Sequence, residues 1–190
     1  FIKMREAFDD LGITLIDVSK DLAKLREVKS EEEIEAIRKA VKVTEEVLCE
    51  VLAECNLRKM SEREIAAELI YHTWKKGCEY AFEPIVAFDE NAAIPHYRTG
   101  TNDKPKAEKL ILIDFGVKCE HYCSDITRTF IVKKDREILE AYNVVLEAQL
   151  KAINVIKAGI KAGNADEAAR SLIKEKLGVD FPHSLGHMIG

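Results

Sequence analysis

Residues 110–130 read Leu110-Ile-Leu-Ile-Asp-Phe-Gly-Val-Lys-Cys-Glu-His-Tyr-Cys-Ser-Asp-Ile-Thr-Arg-Thr-Phe130, with Asp114 and Asp125 eleven positions apart. The apolar run that Asp114 closes predicts a buried strand. Cys123 to Val132, with β-branched Ile126, Thr127, Thr129, Ile131 and Val132, predicts a second, which Asp125 opens. A turn within the polar segment Lys118 to Tyr122 would pair the two antiparallel and bring both carboxylates to one end of a hairpin. Two close carboxylates repel, so either one keeps its proton at a raised pKa or a divalent cation neutralises both. The plainer alternative makes Asp114 a strand-end cap and Asp125 a solvated turn residue. Asp114 directly follows an apolar run, where an unpartnered carboxylate is costly, and that favours the cation.

Outward from the hairpin, helices alternate with strands. Ser30 and Glu33 form a capping box, after which Ile34, Ile37, Val41, Thr44, Leu48 and Leu52 keep helical spacing to about Glu54. Ser61 and Glu64 repeat the device before a helix from Ile65 to Lys76 that Gly77 stops. Tyr71 and Trp74 share that helix with Ile65, Leu69 and Ile70, so they are expected in the core. A strand through Val86 to Phe88 and a polar turn at Asp89-Glu-Asn91 precede the hairpin. A long helix from about Arg136 to Lys157 follows it, and Asn164 is a candidate cap for a last helix, Ala165 to Lys176, ended by Gly178. Before all of these, Phe1 to Leu11 has helical spacing and Ile13 to Val18 reads as a strand. The class is α+β with antiparallel pairing.

The 190 residues carry a net charge of −5 with 47% apolar content, ordinary for a globular chain with a sizeable core. Acids and bases are interspersed, so no basic stripe is available for nucleic acid. No apolar run approaches the roughly 18 residues of a membrane-spanning helix, and no leader is evident. Five cysteines with no CxxC pair argue against a disulfide framework and for a reducing cytoplasm. Cys119-Glu-His-Tyr-Cys123 mixes thiol, carboxylate and imidazole, yet its place between two strands reads as a hairpin turn.

The Asp114-to-Asp125 spacing, the string Ser124-Asp-Ile-Thr-Arg-Thr-Phe130 and the later His183-Ser-Leu-Gly-His187 together resemble the pita-bread metallopeptidases (peptidase family M24), which include methionine aminopeptidase, aminopeptidase P and prolidase. The resemblance runs from about Leu25 to Gly190. Within it, Lys29 to Ala40 is similar to the leading helix of the prolidase branch, and Phe82 to His96 matches in order.

The resemblance implies a pita-bread fold and a site for two divalent ions, Mn²⁺ or Co²⁺. It assigns Asp114 to one ion, Asp125 to both as a bridge and His187 to the other. Two further glutamate ligands of the family would fall beyond Gly190, so the chain is expected to be a piece of a longer protein. On this view residues 1–24 are the end of an N-terminal creatinase-like domain, and residues 25–190 a catalytic domain stopping before its last strands. His96, on a loop stiffened by Pro95, matches the histidine that faces the substrate. His183 either shares the site or orients its loop. Met188 departs from the glycine that the family has after the ligand histidine.

The implied activity is hydrolysis of the bond before proline in dipeptides or peptide N-termini, by a water activated between two cations. Proline-containing peptides would be the partners, with a homodimer possible and neither nucleic acid nor membrane involved. A non-catalytic peptide- or protein-binding module on the same fold, a methionine aminopeptidase, and a metal-free creatinase-like hydrolase are the alternatives. Arg128 falls on the opposite side of an ideal strand from Asp125, whereas Thr127 falls on the same side and is placed to hydrogen-bond near the ligands.

Overall fold

The computed structural model describes residue 8 and residues 11–189. The helix predicted for residues 1–11 therefore lies almost wholly outside the described residues. The chain divides into two compact units, residues 1–34 and 35–190.

In the first unit, Ile13 to Val18 is not a strand, contrary to its pattern. Alternating β-branched residues need a neighbouring strand for their backbone groups, and among the described residues none pairs with this segment. A helix instead follows, α1 at Ser19–Glu27. Asp17 turns the chain into it by accepting a bond from the Ser19 N–H at 2.9 Å.

The capping box at Ser30 is formed: its N–H donates to Glu33 Oε2 at 2.7 Å, and its hydroxyl accepts from the Glu33 N–H at 3.3 Å. It opens α2, Glu31–Glu54. The body of α2 lies in the second unit, where Ala40, Thr44, Val47, Leu48 and Val51 make its buried stripe. A second capping box, Ser61 with Glu64, opens α3 at Glu62–Lys75. The inward face of α3 is set by Glu62, Ile65, Leu69, His72 and Thr73. At about 100° per residue, positions 71 and 74 then turn away. Tyr71 and Trp74 are accordingly 58% and 63% exposed and not core residues.

Among the described residues the strands form two antiparallel three-stranded sheets. One orders β1 (Glu79–Tyr80), β4 (Val117–Cys119) and β5 (Tyr122–Cys123); the other orders β2 (Ile85–Phe88), β3 (Leu110–Phe115) and β6 (Ile126–Ile131). Phe115 pairs with Ile126 and Lys118 with Cys123, so one register runs through both sheets. The predicted hairpin is thus a single long one that steps from sheet to sheet at Gly116 and Ser124. Its tip is a two-residue turn, Glu120-His121, with positive φ at both positions (50° and 73°). That is the primed geometry matching strand twist, here built without glycine.

Alternation along β3 sends Ile111, Ile113 and Phe115 into a core with Val86, Phe88, Ile65, Leu69, Val47 and Val51. Leu110, Leu112 and Asp114 therefore share the other, half-open face.

Cys78 and Cys119 are joined by a disulfide, which corrects the expectation from cysteine usage. Glu79 pairs with Lys118, and continuing that antiparallel register sets the two cysteines opposite each other, with Cα atoms 5.1 Å apart. Register decides such a bridge, and an odd cysteine count does not oppose it. Cys49, Cys55 and Cys123 are free.

After the hairpin, Asp135 caps α4 (Arg136–Val155) by accepting from the Glu137 and Ile138 N–H groups at 3.0 and 3.4 Å. Helix α5 spans Ala162–Leu177 and ends at Gly178 with φ 70°. It begins before the predicted start, and Asn164 lies inside its first turn rather than capping it. Helices α4 and α5 pack through Val144, Ala148, Ala152, Ala165, Ala169, Leu172 and Ile173, and Phe181 and Leu185 of the following segment close over that core. Among the described residues, no helix is long and apolar enough to cross a membrane.

Candidate metal centre

Asp114 sits opposite Thr127 in the β3–β6 ladder, and Asp125 is two residues before Thr127 on the same strand side. The period of two puts all three on one sheet face, with the carboxylates as diagonal neighbours. Thr127 donates its hydroxyl to Asp114 Oδ1 at 2.8 Å, as the side-of-strand reasoning required. Arg128, on the other side, donates to the Thr127 carbonyl at 2.9 Å.

Burial pushes the Asp114 carboxyl above its ordinary range, and the Asp125 charge pushes the same way. The Thr127 hydroxyl and, from a distance, His96 and His187 pull it back. A carboxylate held reluctantly ionised beside a second one is a place where added positive charge is strongly favoured.

His187 supplies part of that charge. Its Nε2 lies 3.1 Å from Asp125 Oδ2, while its Nδ1 faces the Met188 carbonyl at 2.8 Å. The Met188 contact, followed by the Asp125 and Asp114 charges, raises the pKa of this imidazole against partial burial. With Nδ1–H given to a backbone carbonyl, Nε2 is the nitrogen that faces Asp125, protonated in this ion pair and able to ligate a metal once that proton is displaced. The bulk of Met188 does not disturb this arrangement, because its side chain is 62% exposed.

Sequence reasoning missed what aims His187. Arg170 on α5 donates to Asp166 through Nε (2.8 Å) and Nη2 (3.0 Å), to the His183 carbonyl at 3.0 Å and to the Phe181 carbonyl. Its guanidinium also lies over the Phe181 ring, 5.3 Å from the centroid. Asp166 in turn accepts from the Leu185 N–H at 2.9 Å. This pair straps residues 181–185 to α5 and delivers His187 to the sheet. The only sequence signal was an acid and a base four residues apart on a helix.

His183 is placed differently from the other candidates. Its ring packs on Phe181 at 4.4 Å, and its Nδ1 faces the Ser184 carbonyl at 2.8 Å. His96 is exposed at the tip of the loop after β2, with φ 54°. Both therefore stand outside the Asp114–Asp125–His187 grouping, although the His96 charge reaches Asp114.

The donor types fit a divalent ion: two carboxylates and one imidazole whose Nε2 is aimed at them, each with a supporting hydrogen bond or ion pair. Among the described residues, no three histidine, cysteine, aspartate or glutamate groups converge tightly enough to hold a metal by themselves.

Helix pairs against antiparallel sheets, with this hairpin at their centre, make the pita-bread fold of the prolidases. Prolidase from Pyrococcus furiosus superposes with a TM-score of 0.88 at 36% identity, covering 99% of this chain and 56% of that one. Prolidase from Pyrococcus horikoshii gives 0.89 at 35%, covering 100% and 55%. An Xaa-Pro dipeptidase from Bacillus anthracis gives 0.81 at 32%, covering 99% and 60%. Residues 35–190 match metallopeptidase family M24, and the chain belongs to that family. An uncharacterized peptidase of Staphylococcus aureus is 39% identical over 177 residues, 92% of this chain and 50% of the relative. The chain thus spans about half the length of the curated relatives it matches.

Proposed function

We propose that the protein is a metal-dependent peptidase that hydrolyses the bond preceding proline, with Asp114, Asp125 and His187 as ligands on this chain. The observation that carries this reading is the approach of His187 Nε2 to Asp125 on the sheet face that Asp114 shares. Likeness to prolidases and an Xaa-Pro dipeptidase supports the choice of bond. A proline peptide has no N–H to offer an extended binding mode, so a dedicated site is needed for it.

Two divalent ions, Mn²⁺ or Co²⁺ by the resemblance, would supply a nucleophilic water at neutral pH and polarise the scissile carbonyl. The residues of the chain then divide the remaining work. Asp125, between Asp114 and His187, would help to hold both ions. Thr127 holds Asp114 in one orientation through its hydroxyl. The Met188 carbonyl fixes the His187 tautomer. His96 faces the substrate and steadies the developing negative charge at the carbonyl or the proline side. His183 acts at a remove, through the loop it shares with His187. Residues 1–24 are assigned to the end of an upstream domain and residues 25–190 to the catalytic one. A homodimer and a cytoplasmic location complete the proposal, the latter without help from cysteine usage, since Cys78 and Cys119 are bridged.

One observation favours a second reading, a non-catalytic peptide-binding module: no three donors converge among the described residues. Release of proline from Ala-Pro with added Mn²⁺ or Co²⁺ separates the two. The peptidase reading expects turnover that is lost on Asp125→Asn, because a neutral amide cannot serve two cations. Near-normal turnover in that variant would exclude the assignment, and cleavage of an N-terminal methionine in preference to Ala-Pro would point to a methionine aminopeptidase.

A further inference from the structure

Glu62 is fully buried on the first turn of α3, far along the chain from every residue of the metal centre. Its Oε1 accepts from the Phe88 N–H at 2.8 Å and from Asn91 Nδ2 at 2.7 Å, and its Oε2 accepts from the Tyr97 hydroxyl at 2.7 Å. Asn91 and Tyr97 are each only 4% exposed. The Asn91 amide also reaches the Tyr97 hydroxyl at 3.1 Å and the Asn102 carbonyl at 3.0 Å, and the Asn102 N–H donates to the same hydroxyl at 3.1 Å.

A phenolic oxygen has one proton and two acceptor positions. The Asn91 amide and the Asn102 N–H, both donors, approach the Tyr97 oxygen, and its proton goes to Glu62 Oε2. The Glu62 carboxylate and the Asn102 carbonyl only accept, and the two Asn91 amide protons are shared among Glu62, the Tyr97 hydroxyl and that carbonyl. The cluster ties together the end of β2, both sides of the loop from Asp89 to Asn102, and the N-terminus of α3, where the helix dipole favours the negative charge.

His96 is the residue before Tyr97, exposed and held at φ 54°, a region that non-glycine residues seldom occupy. Such a conformation persists only where its surroundings enforce it. The aim of the imidazole is therefore set by the anchored backbone on its C-terminal side. We propose that Glu62 is a positioning residue for His96, acting through Tyr97 and Asn91. The proposal rests on the reading of His96 as the substrate-facing group.

Glu62→Gln is the informative change, because in either orientation its NH2 faces a donor: the Phe88 N–H and Asn91 amide on one side, or the Tyr97 hydroxyl on the other. Tyr97→Phe removes the same link from the other side and serves if the first variant folds poorly. Two readouts are needed on the protein and on each variant. In Ala-Pro hydrolysis with Mn²⁺, Glu62→Gln should lower kcat by about tenfold or more with Mn²⁺ affinity unchanged. In a His96→Ala background it should lower kcat no further. An equal loss in both backgrounds would mean a merely structural role and overturn the proposal.

The second readout holds whether or not the protein cleaves Ala-Pro. With histidine side chains labelled for NMR and Mg²⁺ as the diamagnetic probe metal, Glu62→Gln and Tyr97→Phe should shift or broaden the His96 imidazole resonances and leave those of His183 in place. Unmoved His96 resonances in both variants would overturn the positioning role. Absence of Ala-Pro cleavage together with moved resonances would instead sink the functional reading and leave the anchor standing.

Discussion

Gly116→Ala should damage the candidate metal centre although residue 116 carries none of its side chains. A Cβ built at Gly116 overlaps the Ser124 carbonyl oxygen, comes within 2.9 Å of the carbonyl carbon and stands 3.0 Å from Phe82 Cε1. Comfortable carbon contacts begin near 3.5 Å, so relief requires the two halves of the hairpin to part by something on the order of 1 Å. Neither neighbour yields easily. Ser124 is 1% exposed, its hydroxyl accepts from the Val117 N–H at 2.9 Å and meets Thr44, and its own N–H donates to the Val117 carbonyl at 2.9 Å. Overpacking of this kind costs about 1–3 kcal/mol. For a protein of this size the upper half of that range lowers Tm by about 4–12 °C. The displaced residue adjoins Asp125, so this candidate ligand loses its support and Mn²⁺ affinity should fall by roughly 10–100-fold. Thermal unfolding followed by circular dichroism, together with Mn²⁺ titration, checks both effects. A Tm within a degree of the wild type and unchanged Mn²⁺ affinity would refute the close approach at Gly116.

Asp89, whose side chain is 5% exposed, accepts from the N–H groups of Glu108, Lys109 and Leu110 at 3.1, 2.8 and 3.0 Å. Burial pushes its carboxyl up, but these three donors and Lys104 outweigh burial and hold it below the ordinary value of 3.8. A depressed carboxylate contributes stability above its unfolded pKa and loses it as pH falls through the folded one. Asp89→Asn should therefore cost about 2 kcal/mol in urea unfolding at pH 7, with the gap to wild type closing below roughly pH 4. Arg170→Ala should free residues 181–185, seen as faster protease cleavage there and weaker Mn²⁺ binding; an unchanged cleavage rate would contradict the strap. Thr127→Val removes the hydroxyl from Asp114 Oδ1, so the carboxyl, already raised by burial, should titrate higher still in a ¹³C-detected pH titration.

What could be read without coordinates was local. Helix starts at Ser30 and Ser61 were legible because a capping box is complete within four residues. The hairpin was legible because alternation, β-branching and a polar turn lie within 21 positions, and its parity already put Thr127 beside the two carboxylates and Arg128 away from them. Spacing of His183 and His187 made the histidine segment recognisable by resemblance. Features that depend on partners distant in sequence were not legible. Tyr71 and Trp74 keep helical spacing with apolar neighbours, but only the inward turn of Glu62, Ile65 and Leu69 shows which side of α3 is covered. The Cys78–Cys119 bridge needed the register of β1 on β4. Glu62 looks like any acid in a first helical turn until Phe88, Asn91 and Tyr97 close around it from 26 to 35 residues away.

The central claim is that Asp114, Asp125 and His187 together hold divalent metal. Isothermal titration of the protein and of Asp125→Asn with Mn²⁺ tests it most directly. The account predicts saturable binding to the wild type and, in the variant, a loss greater than the roughly 10–100-fold that removal of an outer-shell group causes. Equal Mn²⁺ affinity in the two proteins would contradict it.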